Sequence, residues 1–180
     1  MVQRNHPPQC LGFKFFNVYG SGEAHKGPMA SAVYHFYDEL IHGGRVRLFK
    51  SGRSDIADGF QRRDFIFIAD AVKLVECGID DSRLNGLLNV GTGKAVTFLD
   101  VVAALSAALG CGIEPEVIEM PPDIATGYQY FSQAEITAGR VRDVPAMSLR
   151  EGVAAYCDAL VAEGGTVSRH CLGGIYSEQD

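Results

Sequence analysis

The chain has 180 residues, enough for one domain or a piece of one, and its hydrophobic share of 47% is ample for a packed core. A formal net charge of −6 disfavours a nucleic-acid or anionic-membrane surface, and no apolar run approaches the ~18 residues of a membrane span. The opening Met1-Val-Gln-Arg-Asn-His-Pro-Pro lacks the apolar core of a signal peptide. The five cysteines contain no Cys-x-x-Cys pair and the five histidines no His-Glu-x-x-His spacing, so no metal centre is expected. The cysteines read as small apolar residues kept reduced in a cytoplasmic protein.

In chain order, residues 11–16 form an apolar, aromatic run too short for a helix and suited to a buried strand. The run ends in Asn17-Val18-Tyr19-Gly20, with Glu23-Ala24-His25-Lys26-Gly27 behind it. Polar groups are thereby delivered to the C-terminal edge of a sheet, where open α/β folds place their ligands. A helix is predicted over about 29–42, ending at Gly43-Gly44, and strands over 45–49 and 64–68. Between those strands lies a polar stretch, 50–63, of a length that inside a compact domain is usually functional or disordered. A short helix over about 69–77 and a strand at 87–90 follow.

Three helix starts carry a Ser or Thr with an acid three residues on: Thr97-x-x-Asp100, Ser132-x-x-Glu135 and Ser148-x-x-Glu151. The first opens 101–109, apolar nearly all round, which stops at Gly110-Cys-Gly112, before a strand at 115–119. The third opens a helix with Val153, Tyr156, Cys157 and Leu160 on one stripe. Strands alternating with helices argue an α/β fold. The organisation predicted is an N-terminal stub at 1–10, a body at 11–161 and a loose tail at 162–180.

Two glycine turns approach a dinucleotide fingerprint: Gly20-Ser-Gly22-Glu-Ala-His25 and Gly91-Thr-Gly93-Lys-Ala-Val96. Both lack the third glycine, and a turn that needs two small residues accounts for the second more simply. None of the seven tyrosines has a lysine four positions on, so no Tyr-x-x-x-Lys proton-transfer pair exists here.

Asn17-Val-Tyr-Gly20 at a strand end resembles the extended short-chain dehydrogenases that act on nucleotide sugars. Lys26-Gly27, Met29-Ala-Ser31, Leu48-Phe-Lys-Ser51, Arg63-Asp-Phe65, Leu88-Asn-Val-Gly-Thr-Gly93 and Tyr128-Gln-x-Phe-Ser-Gln133 stand in the order found in the ADP-heptose 6-epimerases. The resemblance spans about 11–160 and implies the C-terminal part of a short-chain dehydrogenase Rossmann fold with its smaller substrate-binding lobe. It also implies a parent enzyme that is NADP-dependent, homo-oligomeric and epimerises ADP-D-glycero-D-manno-heptose at C6″ for lipopolysaccharide core synthesis.

By the same resemblance Lys26 is a second acid/base beside the cofactor, and Val18 also borders the cofactor. Epimerisation through a ketone needs a proton moved in two sugar orientations, which one base cannot easily reach. Asn17, His35, Phe49, Lys50, Ser51, Gly52, Arg63 and Tyr128 are assigned to the ADP-heptose substrate. These residue types suit such a ligand, because an aromatic ring can face adenine and a guanidinium can fork onto pyrophosphate oxygens. Each has a plainer account: a solvated loop lysine, a turn asparagine, a packed helix histidine, a basic edge loop, a half-buried tyrosine. Ser21-Gly22 stands where the family commonly has Pro-Arg, and Pro28 where a substrate-contacting Ser is often found. Two other readings stay open: another nucleotide-sugar epimerase or dehydratase, and a non-catalytic sugar-nucleotide-binding module. With neither the glycine fingerprint nor the Tyr-x-x-x-Lys pair, this chain alone is expected to be inactive.

Overall fold

The computed structural model describes residues 9–42, 44–136 and 146–164. Strand β1 (Leu11–Phe15) pairs in parallel with β5 (Gly86–Val90), Phe13 facing Leu88 in register. At Phe16 the chain changes partner. The Phe16 N–H still donates to Val90 O (3.0 Å), but its carbonyl turns to accept from the Val18 N–H (2.8 Å). Strand β2 (Asn17–Tyr19) then pairs in parallel with β4 (Arg62–Phe67), so the single strand predicted for 11–16 and its polar tail belong to two sheets. β4 also pairs antiparallel with β6 (Ala95–Thr97), and β3 (Arg47–Phe49) pairs in parallel with β7 (Glu116–Ile118).

Among the described residues five helices accompany the strands: α1 (Ala32–Ile41), α2 (Ile68–Asp80), α3 (Phe98–Leu109), α4 (Pro122–Ala125) and α5 (Leu149–Ala162). The predicted caps of α3 and α5 form full capping boxes, Thr97 with Asp100 and Ser148 with Glu151. α3 ends at Gly110 in the left-handed region (φ +67°). α1 starts three residues later than expected, because 3-10 turns over Ala24–Met29, kinked at Gly27, precede it.

The main core joins α1, α3 and α5 to the sheet through Val33, Tyr37, Val101, Leu105, Val153 and Tyr156, all at most 1% exposed. Burying each such side chain contributes about 1.5–3 kcal/mol. Val153, Tyr156, Cys157 and Leu160 all lie on the buried face of α5, as their spacing predicts. α5 also passes so close to β2 that a Cβ on Gly152 would sit 2.1 Å from Tyr19 Oη. Gly20 is fixed similarly: its φ is +142°, and a Cβ would sit 2.3 Å from Ile68 Cγ2.

Two expectations are corrected. Ser132-x-x-Glu135 does not open a helix over the described residues up to 136. Tertiary partners take the groups a cap would use: Ser132 N–H donates to Arg62 O, Ser132 Oγ to Asn17 Oδ1 and Ala134 N–H to Asp64. The strand at 11–15 is not the buried one expected: none of its residues is buried and Phe15 is 54% exposed, because β1 has β5 as its one neighbour in a two-stranded sheet among the described residues. Of the described cysteines, Cys111 and Cys157 are buried, Cys77 is intermediate and Cys10 is exposed. At the end of the N-terminal stub, Gln9 Nε2 donates to the carbonyls of Gly78 and Asp81. At the other boundary α5 runs to Ala162, one residue past the body predicted to end at 161. Cys171 and the tail from 165 onward lie outside the described residues. Among the described residues no helix is long and apolar enough to cross a membrane, and no metal-ligating cluster occurs.

Candidate functional site

β4 organises the site, because alternate residues of a strand face opposite sides and this strand opens with three charges. Arg62, exposed, spends its guanidinium on Ala95 O (2.9 Å), a structural bond. Arg63 is buried at 7% exposure, and its described hydrogen bond is one from Nη1 to Arg62 O (3.2 Å). No carboxylate lies within ion-pair distance of Arg63 among the described residues. Burial pushes its pKa down, with Tyr128 opposing the shift, yet a guanidinium stays protonated at neutral pH. A charge kept this dry without a counter-ion is costly unless an anion completes it. Of these two neighbouring arginines, Arg63 is therefore the one suited to an anionic ligand.

The Arg63 guanidinium lies 5.3 Å over the Tyr128 ring. Tyr128 meets Phe49 edge-on (6.3 Å, 85°) and Tyr130 likewise (5.0 Å, 82°). Arg53 lies 5.3 Å over Tyr130. Burial raises the Tyr128 phenol, against a lowering by Arg63, so it stands as a protonated donor. The tyrosines are carried in by a short parallel bridge, with Arg62 N–H donating to Tyr130 O (3.0 Å) and Ser132 N–H to Arg62 O (3.1 Å). The 50–61 loop is pinned by Ser51 N–H to Asp58 Oδ1 (2.7 Å) and by Gln61 Nε2 to Phe49 O (3.0 Å). Ser51 is 1% exposed, and its hydroxyl has no hydrogen-bond partner among the described residues.

Phe49, Ser51, Gly52, Arg63 and Tyr128 are thus brought into one neighbourhood, with Asn17 tied to it through Ser132 (3.2 Å). Lys50 sits at the rim and pairs with Glu119 across β3 and β7. Val18 packs half-buried against Ile66, Ala71 and Val90. His35 lies in α1 against the Tyr34 ring (6.0 Å). Lys26 is exposed on the 3-10 turns and makes no side-chain hydrogen bond or ion pair among the described residues. Glu23 shapes that turn, since its buried carboxylate accepts from Gly20 N–H (3.2 Å), Ser31 N–H (2.6 Å) and Ser31 Oγ (2.8 Å). Arg53 and Tyr130 were not singled out by the sequence. Only the alternation of Tyr128 and Tyr130 in an extended segment signals the second tyrosine.

Neither glycine turn fits a dinucleotide pyrophosphate. Gly20 N–H is taken by Glu23. Thr92 N–H (2.9 Å) and Gly93 N–H (2.8 Å) are taken by Asp64, which is fully buried and also accepts from Thr92 Oγ1 (2.6 Å) and Ala134 N–H (2.9 Å). A carboxylate already fills the place an anion would take.

Residues 3–91 match the family described as NAD dependent epimerase/dehydratase. An ADP-L-glycero-D-manno-heptose-6-epimerase of Fusobacterium nucleatum is 40% identical over 171 residues, 89% of this chain and 51% of that protein. One of Nitratidesulfovibrio vulgaris is 42% identical over 147 residues, 79% of this chain and 45% of that protein. The crystal structure of the Helicobacter pylori ADP-L-glycero-D-manno-heptose-6-epimerase superposes with a TM-score of 0.67 at 26% identity, over 86% of this chain and 45% of that one. A UDP-glucuronic acid 4-epimerase from Bacillus cereus, solved with NAD, gives a TM-score of 0.71 at 18% identity over 90% and 48%, a likeness of fold. The chain spans about half the length of the curated relatives it matches. By its α/β fold with parallel strands, its motifs and its relatives, the chain belongs to the NAD dependent epimerase/dehydratase family.

Proposed function

We propose that this chain is the sugar-nucleotide-binding part of an ADP-heptose 6-epimerase, which interconverts the D-glycero and L-glycero forms of ADP-manno-heptose by oxidation and reduction at C6″. The observation that carries this reading is Arg63, a buried guanidinium with no carboxylate partner among the described residues, seated on Tyr128 beside Phe49. It has the charge for a diphosphate and the rings for a base and sugar. The ADP specificity follows the relatives' names. Asn17 serves the sugar hydroxyls as donor and acceptor, and Ser51, Gly52, Lys50 and His35 border the same ligand.

NADP would accept and return the hydride in the complete enzyme. Its pyrophosphate finds no cradle in either glycine turn of this chain, so only Val18 and Lys26 are assigned to its neighbourhood. Lys26, exposed and without a described partner, would exchange a proton at the C6″ oxygen. The complete enzyme would be a cytoplasmic homo-oligomer serving lipopolysaccharide heptose synthesis.

Calorimetric titration of the 180-residue chain with ADP and ADP-heptose tests the binding half of this reading. Arg63→Ala should weaken ADP by about 1.5–3 kcal/mol, the worth of a charged hydrogen bond. Equal affinity of chain and variant, or no binding by the chain, would refute it. The chemical half is tested in a chimera carrying a heptose epimerase's dinucleotide-binding half. There Lys26→Met should cut turnover ~10²–10⁴-fold while ADP affinity stays within about tenfold. A turnover near that of the parent chimera returns Lys26 to an ordinary loop lysine.

A further inference from the structure

We infer that Arg53 is a second diphosphate-binding residue, held off the ligand by Asp55 until the nucleotide displaces that carboxylate. The inference rests on the nucleotide-site reading and adds a residue and an exchange of partners to it. Arg53 forks onto Asp55, Nε to Oδ1 (2.8 Å) and Nη2 to Oδ2 (2.7 Å). That is the two-pronged geometry with which a guanidinium also takes adjacent phosphate oxygens. Its Cζ lies 5.3 Å from the centre of the Tyr130 ring, which meets Tyr128 at 5.0 Å, which in turn carries Arg63 at 5.3 Å. Two guanidiniums therefore bracket a pair of rings, one with a carboxylate in hand and one with none.

Three further features point to a ligand at that end. The Ser51 hydroxyl, two residues before Arg53, is buried with no partner among the described residues, and a buried hydroxyl without a bond is costly. Gly52 between them has φ +64° and would place a Cβ 3.6 Å from Tyr130 Oη, so the backbone turns here against the ring array. The Arg53–Asp55 pair is also wet, with side chains 49% and 61% exposed. Exposed pairs are weak and easily exchanged, whereas a pair with a doubly charged diphosphate is stronger. The cation–π contact with Tyr130 keeps the guanidinium near the rings while its partner changes. Asp55, released beside the arriving diphosphate, opposes it by like charge and so lowers affinity.

A purely structural role for the pair predicts the opposite sign at Asp55, because loosening the loop would weaken binding. Calorimetric titrations of the full chain with ADP, and with adenosine as a phosphate-free control, separate the two. Asp55→Asn should bind ADP about 3- to 10-fold more tightly and Arg53→Ala about tenfold more weakly, with adenosine unchanged in both. Thermal melts should be the same for all three proteins, since both residues lie exposed in a loop. Weaker or equal ADP binding by Asp55→Asn overturns the exchange. So does an Arg53→Ala loss that is the same for adenosine. Failure of the unsubstituted chain to bind ADP overturns the nucleotide site and Arg53 together, whereas normal binding by chain and both variants overturns Arg53 alone.

Discussion

Arg63 and Asp64 are neighbours in one strand, both charged and both buried, and their surroundings are opposite. Asp64 accepts four hydrogen bonds, from two backbone N–H groups of the 91–94 turn, the Thr92 hydroxyl and Ala134 N–H. It closes the sheet onto that turn and onto the extended 132–134 segment. Arg63 has one bond to a neighbouring carbonyl and a ring beneath it. A buried charge with every lone pair used is architecture, and one with its donors spare is prepared for something that arrives.

The sharpest way to break that contrast is Asp64→Ala. It orphans three backbone donors, of Thr92, Gly93 and Ala134, each costing about 1–3 kcal/mol when buried, so urea unfolding should show a loss of about 3–5 kcal/mol. A loss below about 1 kcal/mol would mean that water or a shifted chain replaces the carboxylate. Arg63→Ala should change folding stability far less, by under about 1 kcal/mol in either direction, because an uncompensated charge leaves with its packing. If it instead unfolds the chain as Asp64→Ala does, Arg63 belongs to the architecture as well.

The smallest effect concerns groups buried in their neutral form. Burial, with Asp158 adding to it, lifts the Cys157 thiol from 9.0 to about 11, and burial lifts the Tyr19 and Tyr156 phenols further above their ordinary 10.0. A folded state that holds its protons longer is stabilised fully below the unfolded pKa and loses that stabilisation as pH rises through the folded one. The melting temperature should therefore be flat in this respect below pH 9 and fall from about pH 9 to 11. Cys157→Ala should flatten part of that slope. An unchanged slope in the variant would assign the alkaline loss to the phenols.

Local signals in the sequence carried the caps at Thr97 and Ser148, the α5 stripe and the extended form of 11–15, though not its burial, because each depends on residues a few positions apart. The break at Phe16 was not legible. Residues 17–19 read as the polar end of the strand before them, and only the choice between Val90 and Phe65 as neighbours divides the two. Ser132 failed for the same reason: its spacing to Glu135 is that of a cap, but Arg62 and Asn17, far away in the chain, claim its groups. Arg63 and Tyr128 were legible as text resembling a family, whereas Arg53 and Tyr130 gain their meaning only from the ring array.

The bond between Asn17 and Ser132 spans 115 positions, and that between Ala134 and Asp64 spans 70. Such pairings come late in folding, since the chain must first meet the entropy of closing long loops. The helices and their caps can form on local contacts long before that. The ring array and its two arginines therefore take shape only when residues 128–134 dock. ADP added during refolding should bind in step with that docking, and so act as a clock for it rather than as a template for earlier steps.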